Sequence, residues 1–166
     1  MNQNIKNRTL LLIGNRGETY QMDRQNAPCL ILDALKDRDK LQYVKDVKYS
    51  FTAYKTVNVL TLNTYVNYTA TLLPSIVNDI GISYEDITIV VASDASLGEW
   101  KTQKASVLKN NMAIVLLGEL YDFDVLTIGI KTQSKINIKK AFSGFTATEL
   151  LRIETVIQDI VTRYFH

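Results

Sequence analysis

Four acidic residues near the middle of the chain are the side chains best suited to chemistry. Asp94 follows one apolar run, and Glu119, Asp122 and Asp124 follow a second, at 112–117. The carboxyl ends of neighbouring parallel strands meet at one edge of a sheet, where α/β proteins place their ligands. If both runs are such strands, the carboxylates converge and can hold a hydrated magnesium ion. One interpretation is therefore a catalytic cluster of all four acids, in which Asp94, Asp122 and Asp124 are the metal ligands.

The competing interpretation gives the same residues structural roles. Asp94 and Ser96 would cap a following helix, and the other three acids would solvate a turn. Carboxylates that belong to no recognised motif are usually surface residues. The structural interpretation is therefore preferred.

The segment 94–110 resembles a stretch of the flap-endonuclease-like PIN nucleases. It begins with an acidic residue and continues with a tryptophan and three lysines. In that family a strand ends in an acidic residue, and an aromatic, basic helix then approaches the nucleic-acid backbone. The resemblance implies that Asp94 is a metal-site carboxylate and that a first acidic strand lies at 29–33. It also implies that a set of aromatic and basic side chains faces the phosphates, namely Trp100, Lys101, Lys104 and Lys109. The family's later paired acidic motif has no counterpart.

The same segment is also similar to TIR-type domains, through the Ser-x-x-x-Trp pattern at Ser96 and Trp100. Gln103 or Lys104 stands where that family would have a catalytic glutamate. Trp100 has a structural interpretation as well, because a tryptophan early in an amphipathic helix commonly packs its ring against a sheet.

Residue types argue against several common active sites. The single histidine, His166, is the last residue, so no Ser-His-Asp or Cys-His arrangement is expected. Cys29 is the only cysteine and lies in an apolar run, where a thiol is normally inert. The loop 14–17 lacks both the Gly-Lys-Ser/Thr ending of a P-loop and the three-glycine dinucleotide fingerprint. Acyl-transfer chemistry and nucleotide binding at this loop are therefore disfavoured.

Hydrophobic patterning divides the chain into alternating strands and helices. Strands are predicted at 47–53, 57–62, 87–92, 112–117, 125–131 and 136–139, and a hairpin is predicted to join 9–13 to 18–22. Helices are predicted at 27–41, 66–80 and 97–109, with a closing helix capped by Thr146 and Glu149. The prediction is an α/β fold with a mixed, mainly parallel central sheet, flanking helices, an N-terminal β-hairpin and a C-terminal amphipathic helix.

Composition describes an ordinary globular domain. The 166 residues are 46% hydrophobic and 22% charged, which predicts a single domain over 1–166. The 19 basic and 17 acidic residues give a formal charge of +2, too small a bias to indicate a polyanion partner. A lone cysteine, a polar N-terminal segment and the lack of a bilayer-length apolar run predict a cytoplasmic protein.

Two functional hypotheses follow. The first is a non-enzymatic interaction or assembly protein of viral or mobile-element type, which uses a protein partner or self-assembly and needs no cofactor and no membrane. The second is a magnesium-dependent, PIN-like nuclease or phosphodiesterase that acts on nucleic acid through the carboxylates around Asp94. A separation above about 8 Å between Asp94 and every other carboxylate would prevent shared metal ligation.

Overall fold

The computed structural model describes residues 8–14, 24–64, 68–108, 112–131 and 145–165. These residues form seven strands, four α-helices and three short 3-10 turns. The strands are β1 Arg8–Leu12, β2 Gln42–Lys45, β3 Tyr49–Ala53, β4 Val57–Leu62, β5 Ile87–Ser96, β6 Trp100–Lys104 and β7 Asp124–Lys131. The helices are α1 Leu30–Leu35, α2 Thr69–Ile80, α3 Met112–Gly118 and α4 Ala147–Tyr164. The 3-10 turns are Arg24–Cys29, Tyr84–Asp86 and Ala105–Val107.

The seven strands form one mixed sheet in the order β2-β3-β4-β1-β5-β7-β6. Strands β4, β1, β5 and β7 are parallel and make the centre, whereas β2, β3 and β6 are antiparallel to their neighbours. The predicted α/β class with a mixed sheet is confirmed. The predicted hairpin is not formed by β1, because β4 and β5 occupy its two edges. Its second strand, 18–22, lies outside the described residues.

Helices cover both faces of the sheet, as a parallel centre requires. On one face, α1 and α4 pack on β1, β5 and β7 through residues such as Ile31, Ile157 and Leu126. On the other face, α2 and α3 pack on the same centre through Leu73 and Leu117. The result is a three-layer domain in which the central strands are buried on both sides.

Several predicted elements are confirmed. Strand β4 has the predicted bounds, and α2 ends at Ile80 as predicted, followed by a left-handed Gly81 with φ of 80°. The closing helix α4 begins with a complete capping box, in which Thr146 Oγ1 accepts from the Glu149 amide and Glu149 accepts from the Thr146 amide. The first helix differs from its predicted range of 27–41, since a 3-10 turn precedes a short α1.

Two predicted elements have the wrong type. The predicted helix at 97–109 instead contains strand β6, because Gly98, with φ of 98°, turns the chain and Trp100 to Lys104 then pair with β7. The predicted strand at 112–117 is helix α3, whose Ile114 and Leu117 are buried three residues apart. A short apolar run fits a buried strand and a buried helix equally well. The predicted strand at 136–139 lies outside the described residues.

None of the helices in the described ranges combines the length and the apolar composition needed to cross a bilayer.

Candidate functional site

The strand order reverses between β1 and β5. The chain that leaves β1 continues to β2, β3 and β4 on one side, whereas the chain that leaves β5 continues to β6 and β7 on the other. Such a reversal opens a crevice outside the carboxyl ends of the two strands, the usual ligand site of open α/β sheets. We call the region of Gly14, beyond β1, and Asp94, near the end of β5, the β1–β5 crevice.

Asp94 lies near the carboxyl end of β5 and places a carboxylate at this end of the sheet. Leu12 pairs with Val90. Asp94 therefore lies two residues beyond the level of Gly14 on the neighbouring strand, a backbone separation of roughly 8 Å. The Asp94 side chain is exposed, and the adjacent Ser93 Oγ accepts a hydrogen bond of 3.3 Å from the Ala95 amide. Strand pairing and this local bond hold the backbone on both sides of an accessible carboxylate.

Gly14 allows the first 3-10 turn to pack directly against the end of β1. A methyl group added at Gly14 would lie 2.9 Å from both Asn26 Oδ1 and Cys29 Sγ, which is closer than side chains normally approach. Asn26 is 8% exposed and therefore forms part of the wall behind the crevice.

A buried ion pair between Arg24 and Glu149 lies near the carboxyl end of β7. Arg24 binds Glu149 with two hydrogen bonds of 2.9 Å and 2.7 Å, and the side chains are 6% and 14% exposed. The same guanidinium lies 5.2 Å from the centre of the Phe145 ring and 3.5 Å from the carbonyl oxygen of Ile130 in β7. The pair therefore joins the 3-10 turn, the start of α4 and the carboxyl end of β7.

The pKa of Glu149 lies below its ordinary value of 4.5. Burial alone would raise this pKa, but hydrogen bonds from Arg24 and from the amide and hydroxyl of Thr146 favour the charged carboxylate and outweigh burial. The unfolded chain therefore binds more protons than the folded one at acid pH. We expect a contribution to stability that is complete above pH 4.5 and is lost as the pH falls further. Urea unfolding between pH 6 and pH 3 should show a steeper loss for the natural chain than for Glu149→Gln.

The segment between β5 and β6 crosses over β7. The chain pairs with one edge of β7 up to Ser96 and with the other edge from Trp100 onward. The Leu97 amide binds the Lys131 carbonyl, and the Gly129 amide binds the Glu99 carbonyl. A methyl group at Gly129 would lie 2.7 Å from the Ala95 carbonyl oxygen and closer still to that of Ser96. Residues 94–99 thus form an arch over the end of β7, and Asp94 begins it.

The four acids predicted to converge are separated. Asp124 pairs in register with Thr88, at the amino end of β5. Asp94 stands six residues further along, roughly 20 Å away. Asp122 binds the amide and hydroxyl of Ser106, and Glu119 follows helix α3. Within the described ranges no three His, Cys, Asp or Glu residues are grouped to hold a metal ion. The structure therefore does not bring Asp94 and Asp124 together as ligands of one ion.

The predicted nucleic-acid-binding residues lie on a strand rather than on a helix. Trp100 donates a hydrogen bond of 2.8 Å to Asp159, and Arg163 lies 5.5 Å from the centre of its ring, so it packs against α4. Lys104 forms an ion pair of 2.8 Å with Asp124, which raises the pKa of the lysine. Lys101 is exposed on the same strand, and Lys109 lies outside the described residues.

Comparison with known proteins decides the family. A family model described as peptidyl-tRNA hydrolase matches residues 10–164. The chain belongs to the peptidyl-tRNA hydrolase family. A curated peptidyl-tRNA hydrolase of Mycoplasma genitalium is 27% identical over 164 residues, which cover 92% of this chain and 87% of that protein.

Solved structures with the peptidyl-tRNA hydrolase fold are also similar. The enzyme from Acinetobacter baumannii superposes with a TM-score of 0.79 at 18% identity, over 96% of this chain and 87% of that one. A peptidyl-tRNA hydrolase in complex with N-propanol gives a TM-score of 0.79 at 17% identity, with the same coverage. At these identities the superpositions establish the fold.

Membership of the peptidyl-tRNA hydrolase family overturns both functions predicted from the sequence. The chain is neither a non-enzymatic assembly protein of viral type nor a PIN-like nuclease. The PIN resemblance also fails on structure, because 29–33 belongs to the 3-10 turn and α1 rather than to a strand, and the basic segment is β6.

Sequence patterns missed most of what surrounds the crevice in this peptidyl-tRNA hydrolase fold. Asp94 was identified because it follows a strand. Arg24 and Glu149 are 125 positions apart in the chain, so their ion pair leaves no local pattern. Only the capping box that Glu149 forms with Thr146 is visible in the local sequence. The contact between Gly14 and Asn26 likewise depends on the 3-10 turn that returns the chain to β1.

Proposed function

We propose that this chain binds peptidyl-tRNA and hydrolyses the ester that joins the peptide to the tRNA. The observation that carries the proposal is the family match over residues 10–164. It is supported by the β1–β5 crevice, which offers an exposed carboxylate at the expected ligand position of the sheet. The nucleic-acid partner is thus the tRNA portion of the substrate. Because translation produces this substrate, we propose that the protein works in the cytoplasm.

The reaction is the addition of water to an ester carbonyl. The water oxygen bonds to the carbonyl carbon, and a base takes one water proton. The tetrahedral intermediate then collapses, the bond from carbon to the ribose oxygen breaks, and that oxygen takes up a proton. The products are a free peptide carboxylate and a tRNA with a free 3′-terminal ribose hydroxyl.

Asp94 is the residue proposed as the base. The sequence holds no histidine before position 166, so a carboxylate is the available side chain for this role at the crevice. Glu149, the other carboxylate below the crevice, is bound on both oxygens by Arg24. The proposed step uses Asp94 and water alone and needs no cofactor.

The test is release of a labelled N-acetylaminoacyl group from tRNA. Purified protein should release the acyl group faster than a buffer blank. Asp94→Asn should lower kcat by about 10²- to 10⁴-fold, the usual contribution of a general base. Asp86→Asn is the matched control, because Asp86 precedes the amino end of the same strand. Hydrolysis no faster than the blank, or equal kcat for Asp94→Asn and the natural chain, would contradict the proposal.

A further inference from the structure

A second concave surface lies on the α1 side of the sheet, over its β2–β4 edge and beside α1. Its volume is about 580 Å³. Strands β2, β3 and β4 form its floor, and α1 with the loop that follows forms one wall. Its lining includes Lys36, Lys40, Tyr43, Lys45, Ser50 and Thr52. We call this surface the β2–β4 groove.

Strand register aligns polar side chains across the groove. Lys45 pairs with Ser50, Ser50 pairs with Thr61, and Thr61 pairs with Leu12 of β1. Residues paired in this way lie side by side on one face of a sheet. The row therefore runs from the edge strand to β1, over three strand spacings or roughly 14 Å. The row ends at Leu12, which is buried in the core beside α1, and Gly14 of the β1–β5 crevice follows two residues later in the chain.

The charge of the groove has one sign. Lys36, Lys40 and Lys45 line it, and no acidic side chain is among the described residues that do so. None of the three lysines forms an ion pair with a carboxylate in the described part of the chain. Three uncompensated ammonium groups beside serine and threonine hydroxyls are suited to a chain of phosphates.

An exposed aromatic ring stands among these lysines. Tyr43 is 52% exposed on the edge strand, and Lys40 Nζ lies 5.1 Å from the centre of its ring. Proteins that bind single-stranded nucleic acids combine a positively charged groove with aromatic rings, because the bases stack on the rings while the phosphates contact the cations. A double helix would present phosphates without a free base face.

We propose that the β2–β4 groove binds single-stranded RNA and guides the 3′-terminal nucleotides of tRNA into the β1–β5 crevice. The inference rests on the proposed function for the identity of the RNA, but the groove chemistry stands on the contacts above. Lys36, Lys40 and Lys45 contact phosphates, Tyr43 stacks with a base, and the hydroxyls of Ser50 and Thr52 donate to phosphate or sugar oxygens.

The test measures binding of a fluorescein-labelled RNA tetranucleotide by anisotropy over a series of salt concentrations. The natural chain should bind it, and the triple variant Lys36→Gln, Lys40→Gln and Lys45→Gln should bind at least about tenfold more weakly at low salt. The slope of log affinity against log salt should fall by about 2, at about 0.7 for each phosphate contact on a single strand. Tyr43→Ala should weaken binding by about tenfold with an unchanged salt slope.

Lys48→Gln is the matched control for Lys45→Gln, because both changes remove one charge from the β2–β3 hairpin and Lys48 does not line the groove. Urea midpoints equal to that of the natural chain verify the fold of each variant. The groove proposal is overturned if the natural chain does not bind the tetranucleotide, if Lys45→Gln and Lys48→Gln bind alike, or if a polyglutamate of equal charge binds as well as RNA.

Hydrolysis separates this proposal from the proposed function. The triple variant should raise KM for N-acetylaminoacyl-tRNA and leave kcat unchanged. Groove-dependent RNA binding without hydrolysis would support the groove and overturn the proposed function. If hydrolysis depends on Asp94 but the triple lysine variant has the same KM as the natural chain, the proposed function is supported and the groove proposal is overturned.

Discussion

Replacing Glu149 by alanine should lower the free energy of unfolding by about 4 kcal/mol. Removal of one partner from a buried ion pair costs about 3–5 kcal/mol, because the remaining charge stays buried without compensation. The remaining charge here is the Arg24 guanidinium, which is 5% exposed. The same substitution also removes half of the capping box at the start of α4. Urea denaturation at pH 7 measures the loss.

Glu154→Ala is the matched control, since Glu154 is an exposed glutamate of the same helix. Its expected effect is below about 0.5 kcal/mol. The double variant Arg24→Met with Glu149→Ala should lose less than the sum of the two single variants, because no lone charge remains. Equal losses for Glu149→Ala and Glu154→Ala would show that the Arg24 pair contributes nothing to stability.

Gly129→Ala should prevent stable folding or cost at least about 3 kcal/mol. The added methyl group would meet the carbonyl oxygens of Ala95 and Ser96, the first at 2.7 Å. Both oxygens belong to the backbone of the arch, which strand pairing and the bond from Leu97 to Lys131 hold in place. A flexible side chain could rotate away, but this backbone must shift as a unit. Soluble yield, circular dichroism and urea unfolding measure the effect.

Gly118→Ala tests whether the loss is specific to position 129. A methyl group there would make an ordinary contact of 3.7 Å with Ala105 Cβ. Gly118 ends helix α3 with a φ outside the left-handed region, so alanine should be neutral or stabilise the protein by up to about 1 kcal/mol. A Gly129→Ala variant with the urea midpoint of the natural chain would refute the close crossing of the arch over β7.

Local patterns were sufficient for much of the fold. The bounds of β4 and the capping box of α4 depend on residues within a few positions of one another, and both were predicted. The helix α3 and the strand β6 were predicted with the wrong type. Their state depends on tertiary partners, since Trp100 to Lys104 become a strand only by pairing with β7.

The site was predictable in part. A carboxylate after a buried strand indicated Asp94, but the wrong element type for 112–117 placed Asp122 and Asp124 at the same end of the sheet. A strand was also predicted at 47–53, which places Ser50 and Thr52 on one face of it. Nothing local could show that β2 and β4 extend that face into a groove beside β1, because cross-strand register is a property of the whole sheet.

The arch over β7 also has a consequence for the order in which the protein is assembled on the ribosome. Strands β1, β4 and β5 precede β7 in the chain, and their parallel pairing needs nothing that follows them. In the described sheet β6 pairs with β7 alone. β6 ends at Lys104, and β7 begins only twenty residues later in the chain, at Asp124. Edge strand and arch must therefore wait for synthesis to pass Lys131. The carboxylate proposed to activate water begins the arch, so it reaches its final position only after β7 has been made.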